Sequence, residues 1–87
     1  MTEYIVFTSP TCHSCKRMKP VIIQEAIVAD VVIEESDVMD GGDRRRYRFD
    51  VASVPTLVAH RDGEHIGRLA GMKSQADLVE FFKATKG

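Results

Sequence analysis

A prevailing charge is the first thing missing. Twelve basic and thirteen acidic residues leave a formal net charge of -1 over 87 residues. No global field therefore draws the chain to nucleic acid or to an anionic membrane, and any charge effect must be local. Long apolar runs are missing too. Met1-Thr2-Glu3 leads straight into Tyr4-Ile5-Val6-Phe7, without the basic segment and extended apolar core of a secretory signal, and no stretch reaches membrane-spanning length. The expectation is a soluble, cytoplasmic protein without a membrane partner. No internal repeat, low-complexity tract or linker divides the chain, which points to one domain over residues 1–87. Cysteine is scarce as well. With only two, neither a disulfide-rich scaffold nor a four-thiolate zinc site is available.

What is present is the composition of a folding chain, 44% hydrophobic and 29% charged, which argues against disorder. Glu3 to Phe7 is β-branched and aromatic and stops at Thr8-Ser9-Pro10-Thr11, a strand followed by a tight loop. Cys15, Met18, Ile22, Ala26 and Ala29 then recur at helical spacing, with Ile23 and Ile27 widening the stripe. A helix over Cys12 to Ala29 follows, capped by Thr11, Ser9 or a residue beside them, with Pro20 inside it. Val31 to Val38 reads as a second strand, parallel to the first through a right-handed crossover. Asp40-Gly41-Gly42-Asp43 is a turn, and Arg44 to Phe49 makes a short helix. Thr56 to His60 and His65 to Ala70 flank Asp62-Gly63, a hairpin signal between antiparallel strands. Ser74-Gln75-Ala76-Asp77 opens a final helix as a capping box, and Leu78, Val79, Phe81 and Phe82 form its apolar side. The expected fold is α/β, in the order βαβαββα, a four-stranded mixed sheet with helices on both faces.

The cysteine pair lies in Ser9-Pro10-Thr11-Cys12-His13-Ser14-Cys15-Lys16. At a helix start, Cys12 would meet unpaired backbone N–H groups and the positive end of the helix dipole, both of which favour a thiolate. Cys15, three residues on, falls on the same face and should be the more buried of the two. Dithiol exchange follows: Cys12 attacks a disulfide, and Cys15 then attacks Cys12 to release the reduced product. Two structural alternatives stand beside this. Both cysteines could be core residues, or they could hold a metal with His13, His60, His65 or carboxylates, although no second C-x-x-C supplies the remaining ligands. Arg44-Arg45-Arg46 and Arg48 form the one dense basic run. It could attract an acidic partner or a glutathione carboxylate, but nearby Glu34, Glu35, Asp37, Asp40 and Asp43 favour a solvated helix face.

These residues resemble the thioredoxin superfamily over nearly the whole chain. Cys12-His13-Ser14-Cys15-Lys16 matches its C-x-x-C-K start, Pro20 falls where thioredoxins kink this helix, and Ser53-Val54-Pro55-Thr56 looks like the family's cis-proline loop. Asp62-Gly63-Glu64 and Gly67-Arg68-Leu69-Ala70-Gly71 look like the hairpin and glycine that follow. A cis bond before Pro55 would turn the backbone groups of Val54 toward the cysteines, where an extended substrate could pair with them; alternatively Pro55 simply begins a strand. Three departures stand out. The extra amino-terminal strand and helix of thioredoxins are missing, Thr11 stands where tryptophan is usual, and Val6 replaces a buried aspartate that assists the second cysteine.

The resemblance implies a minimal thioredoxin fold and a thiol-disulfide oxidoreductase, with Cys12 and Cys15 catalytic. Thr11, His13, Val54, Pro55 and Gly71 would line the substrate surface. His13 either stabilises the Cys12 thiolate when charged or points into solvent. No bound cofactor or metal is implied, only a redox-active Cys12–Cys15 disulfide in a monomer. Its partners would be disulfide-containing proteins, and its electrons would come from an NADPH-dependent thioredoxin reductase or from glutathione. The alternatives are a glutaredoxin, a small redoxin serving ribonucleotide reductase, or a non-catalytic binding or metal-binding module on the same fold.

Overall fold

Strand propensity at the start of the chain produces the centre of a sheet. The computed structural model describes residues 1–86, in which β1 (Glu3–Thr8) pairs parallel with β2 (Ile33–Asp37) and antiparallel with β3 (Thr56–Arg61). β3 in turn pairs antiparallel with β4 (Glu64–Ala70), giving a four-stranded sheet of order β2-β1-β3-β4. The hairpin between β3 and β4 turns on Asp62 and Gly63, at φ 51° and 83°. Positive φ at both positions suits the right-handed twist of the flanking strands, and an Asp-Gly pair accepts it.

Three helices complete the order: α1 (His13–Ala29), α2 (Arg45–Arg48) and α3 (Gln75–Lys86). Alternation along the central strands sends their side chains to two cores. On one face Tyr4, Val6, Leu57 and Ala59 meet Met18, Ile22 and Ala26 of α1 and Leu78, Phe81 and Phe82 of α3. Tyr4 lies edge-on to Phe82 with ring centroids 5.1 Å apart, and its hydroxyl meets Thr85 Oγ1 at 2.8 Å. Burying side chains of this size contributes about 1.5–3 kcal/mol each. On the opposite face Ile5, Phe7 and Val58 are covered by Phe49 and Val51, which follow α2. The α3 start is a closed capping box: Asp77 N donates to Ser74 Oγ at 3.1 Å, and Ser74 N donates to Asp77 Oδ2 at 3.0 Å.

Three expectations need correction. Ile23 and Ile27 do not widen the buried stripe of α1, being 44% and 69% exposed. They are turned about 100° away from Ile22 and Ala26, while Glu25 is buried and accepts a hydrogen bond from Gln75 Nε2 at 2.7 Å. β2 begins at Ile33 because Val31 belongs to the end of α1. Asp30 adopts the left-handed conformation, its N–H donates to Ile27 O, and Val31 N–H reaches Ala26 O, a Schellman closure. α2 is shorter than Arg44 to Phe49, with those two residues as its caps. Among the capping residues expected, it is Cys12, beside Thr11, that caps α1.

Candidate functional site

The carboxyl end of β1 delivers the chain through Ser9, Pro10 and Thr11 into α1, and both cysteines sit at that junction. Cys12 has extended backbone, φ -89° and ψ 111°, and its Sγ accepts a hydrogen bond from Cys15 N at 3.1 Å. That is the position of an N-cap side chain, so the sulfur faces the open N–H groups and positive end of α1, which stabilise negative charge on it. Cys12 N donates to Ser9 O at 3.1 Å, and Cys12 Sγ lies 3.8 Å from Val54 O. Cys12 is half-buried; Cys15 is 4% exposed, and both are free thiols. Burial, reinforced by its hydrogen bond with Cys12, pushes the Cys15 thiol up to about 11. A proton therefore stays on Cys15 where it can hydrogen-bond the Cys12 sulfur.

The loop before β3 forms the facing wall. The Val54–Pro55 peptide bond is cis, and Thr56 Oγ1 donates to Ser53 O at 2.7 Å, tying the loop to the strand. Pro55 is buried directly ahead of β3, and its carbonyl accepts from Gly71 N at 2.8 Å. Gly71 takes φ 79°, a conformation that glycine adopts without strain. The structure thus brings Cys12, Cys15, Val54, Pro55 and Gly71 into one neighbourhood. Thr11 is exposed and meets Ser9 Oγ through its hydroxyl at 3.2 Å; His13 is exposed on the first residue of α1.

Cys15 also borders an open cleft of about 490 Å³, shared with Thr8, Lys19 and Glu35. Glu35 accepts from Lys19 Nζ at 2.7 Å and from Thr8 Oγ1 at 2.9 Å. The Lys19 ammonium and then the Thr8 hydroxyl hold its carboxyl below the ordinary value. Val6, buried at 3%, is the β1 register partner of Glu35. The sequence reading missed this carboxylate, although the parallel pairing of two recognisable strands would have placed Thr8 and Glu35 at the same end of the sheet. Asp43, lining the same cleft, takes Arg45 Nη2 at 2.8 Å and Ser36 Oγ at 2.7 Å. Those partners hold its carboxyl far below the usual range.

Among the described residues no three His, Cys, Asp or Glu side chains converge as a metal site. His60 and His65 are register partners across the hairpin, but they serve other groups. His60 Nδ1 accepts from Gly63 N at 3.2 Å, and His65 Nε2 accepts from Arg68 Nε at 3.1 Å.

A half-buried thiol capping a helix, a buried thiol one turn later and a facing proline loop make up a dithiol exchange site on an α/β fold. Comparison with known proteins agrees. The thioredoxin family model matches residues 2–84. A thioredoxin of Chlamydia muridarum is 35% identical over 77 residues, covering 85% of this chain and 72% of that protein. A Mycobacterium tuberculosis thioredoxin is 32% identical over 75 residues, with 84% and 64% covered. Among solved structures, oxidised mitochondrial thioredoxin 3 of Saccharomyces cerevisiae superposes with a TM-score of 0.79 at 28% identity, covering 94% of this chain and 76% of that one. A mutant thioredoxin from Halobacterium salinarum shares the fold, with a TM-score of 0.85 at 23% identity and 99% and 75% coverage. The chain belongs to the thioredoxin family. It is a thiol-disulfide oxidoreductase of the kind that works through a redox-active disulfide. Among the described residues no helix is long and apolar enough to cross a membrane.

Proposed function

We propose that this chain, a monomeric single domain working in the cytoplasm, reduces disulfides in protein substrates, with Cys12 as nucleophile and Cys15 as resolving thiol. The observation that carries this reading is the asymmetry of the pair: the Cys12 sulfur is the helix cap, whereas Cys15 is 4% exposed and holds its proton. The Cys12 thiolate attacks one sulfur of the substrate disulfide, forming a mixed disulfide and expelling the other sulfur as a thiolate that takes up a proton. Cys15 then gives up its proton and attacks Cys12 Sγ, releasing the second substrate thiol and closing the Cys12–Cys15 disulfide. Two electrons pass from the dithiol to the substrate.

Val54, with Pro55 and Gly71 holding its loop in place, offers backbone groups to an extended substrate segment. Thr11 and His13 line the exposed approach to Cys12. Electrons return from an NADPH-dependent thioredoxin reductase, with glutathione as the competing donor. The test is reduction of insulin disulfides. Cys12→Ser should abolish turnover, and unchanged turnover would defeat the assignment. Regeneration by thioredoxin reductase and NADPH, without regeneration by glutathione, is the expected donor pattern.

A further inference from the structure

The arginines after β2 differ in how they are partnered and in how far they are buried. Arg45 is held by Asp43 and Glu34, and Arg68, on β4, is held by the carbonyls of Phe49 and Asp50. Arg48 lies against Gly63 and over the Phe49 ring at 5.8 Å. Arg44 and Arg46 both stack on Tyr47, at 5.4 and 4.8 Å from the ring centroid. Arg44 is exposed and keeps its water, but Arg46 is partly enclosed. Its Nε is buried without a hydrogen-bond partner, and Nη1 makes only a long 3.5 Å contact to Val38 O. Among the described residues no carboxylate lies within ion-pair distance of it. A guanidinium nitrogen that has lost water without gaining an acceptor is poorly compensated, and an anion paired with the same guanidinium would offset part of that cost.

Arg46 also borders a recess of about 90 Å³, walled by Val38, Val51, Ala52, Ser53 and Val54. Val54 is the residue whose carbonyl lies 3.8 Å from Cys12 Sγ. The recess is large enough for one carboxyl group in place of about three waters at about 30 Å³ each. One extended residue spans about 3.3 Å, so a side chain one or two residues from the attacked cysteine reaches it from a segment lying along Val54.

We propose that Arg46 and the recess beside Val54 form a carboxylate subsite, which selects disulfide substrates carrying an acidic group within two residues of the attacked cysteine. This rests on the dithiol reading above. A planar guanidinium suits a carboxylate because its N–H groups can bind both oxygens. The same chemistry is offered by an acidic side chain of a protein and by the carboxylates of oxidised glutathione.

The experiment compares kcat/KM for matched peptide disulfides with Glu or Gln two residues from the cysteine, together with oxidised glutathione and the uncharged bis(2-hydroxyethyl) disulfide. The parent chain should prefer an acidic substrate over its neutral counterpart by about fivefold, near the upper range for a partly exposed ion pair. Arg46→Gln should bring that ratio close to one, Arg46→Lys should keep part of it, and Arg44→Gln should keep all of it. Collapse of the peptide ratio identifies a protein side chain as the ligand; collapse of the glutathione ratio alone identifies glutathione. Ratios untouched by Arg46→Gln, or lost equally in Arg44→Gln, would overturn the subsite. Turnover of the neutral substrates by the parent tests the dithiol reading separately.

Discussion

Only two residues separate Cys12 from Cys15, yet their surroundings are built from different materials. Around Cys12 the partners are main-chain groups: Cys15 N, Ser9 O and Val54 O. Around Cys15, besides a backbone hydrogen bond with Ser9 and its bond with the Cys12 sulfur, they are mainly burial and side chains, with the Thr8, Glu35 and Lys19 network and Asp43 lining the adjoining cleft. Backbone partners persist through most substitutions, whereas a packed and hydrogen-bonded side-chain environment depends on each residue in it. The nucleophile's chemistry should therefore tolerate change at its neighbours, and the resolving thiol's should not.

The largest effect is expected from Cys15→Ser. It leaves the Cys12 cap in place and removes the second step, so turnover should fall to background while a stable mixed disulfide accumulates on Cys12; intact-protein mass spectrometry reads this directly. Turnover without an accumulated adduct would break the division of roles. Next is Asp43→Asn, which weakens the link between Ser36 on β2 and Arg45 on α2 and should cost about 1–2 kcal/mol in denaturant unfolding at pH 7. Asp43 is held below its ordinary carboxylate value, first by Arg45 and then by Ser36. Its contribution is thus present above that ordinary value and lost as pH falls, and the difference between parent and variant should shrink in acid.

Alkaline unfolding sharpens the comparison from the other sulfur. The Cys15 thiol moves up from 9.0 to about 11 through burial and its bond with Cys12, so the folded chain holds that proton more tightly than the unfolded one. The resulting stability is complete below pH 9.0 and disappears as pH rises through about 11. The reduced parent should show that alkaline loss, and Cys15→Ala should not. The smallest effect is expected from Thr11→Ala, since Thr11 is exposed and Cys12's partners are main-chain atoms. The Cys12 alkylation rate should change by less than about threefold, as for exposed positions generally.

Most of this architecture was legible because several local signals were strong. Asp62-Gly63 specified the hairpin through the positive φ of both residues, Ser74 and Asp77 announced the start of α3, and the C-x-x-C marked the start of α1. What stayed hidden depended on tertiary choices. Helical spacing alone could not say that Glu25 turns inward to meet Gln75 while Ile27 turns outward, because the direction α1 faces is settled by where α3 packs. A β-branched pair such as Val31-Val32 reads as strand until the left-handed Asp30 draws Val31 into a helix closure. The cap could be narrowed only to Thr11, Ser9 or a neighbour, since hydroxyl and carboxylate side chains are the usual caps and here the adjacent sulfur takes their place. Arg46 looked like one member of a solvated run; only the folded chain separates it from Arg44, by burying its Nε and setting its side chain on the recess that Val54 also lines.

The most direct test is the order in which the two thiols react. With the reduced protein at pH 7, limiting iodoacetamide followed by peptide mapping should place the label on Cys12 at least about tenfold faster than on Cys15, as expected for a capping sulfur beside a buried thiol. Equal labelling, or labelling of Cys15 first, would contradict the account.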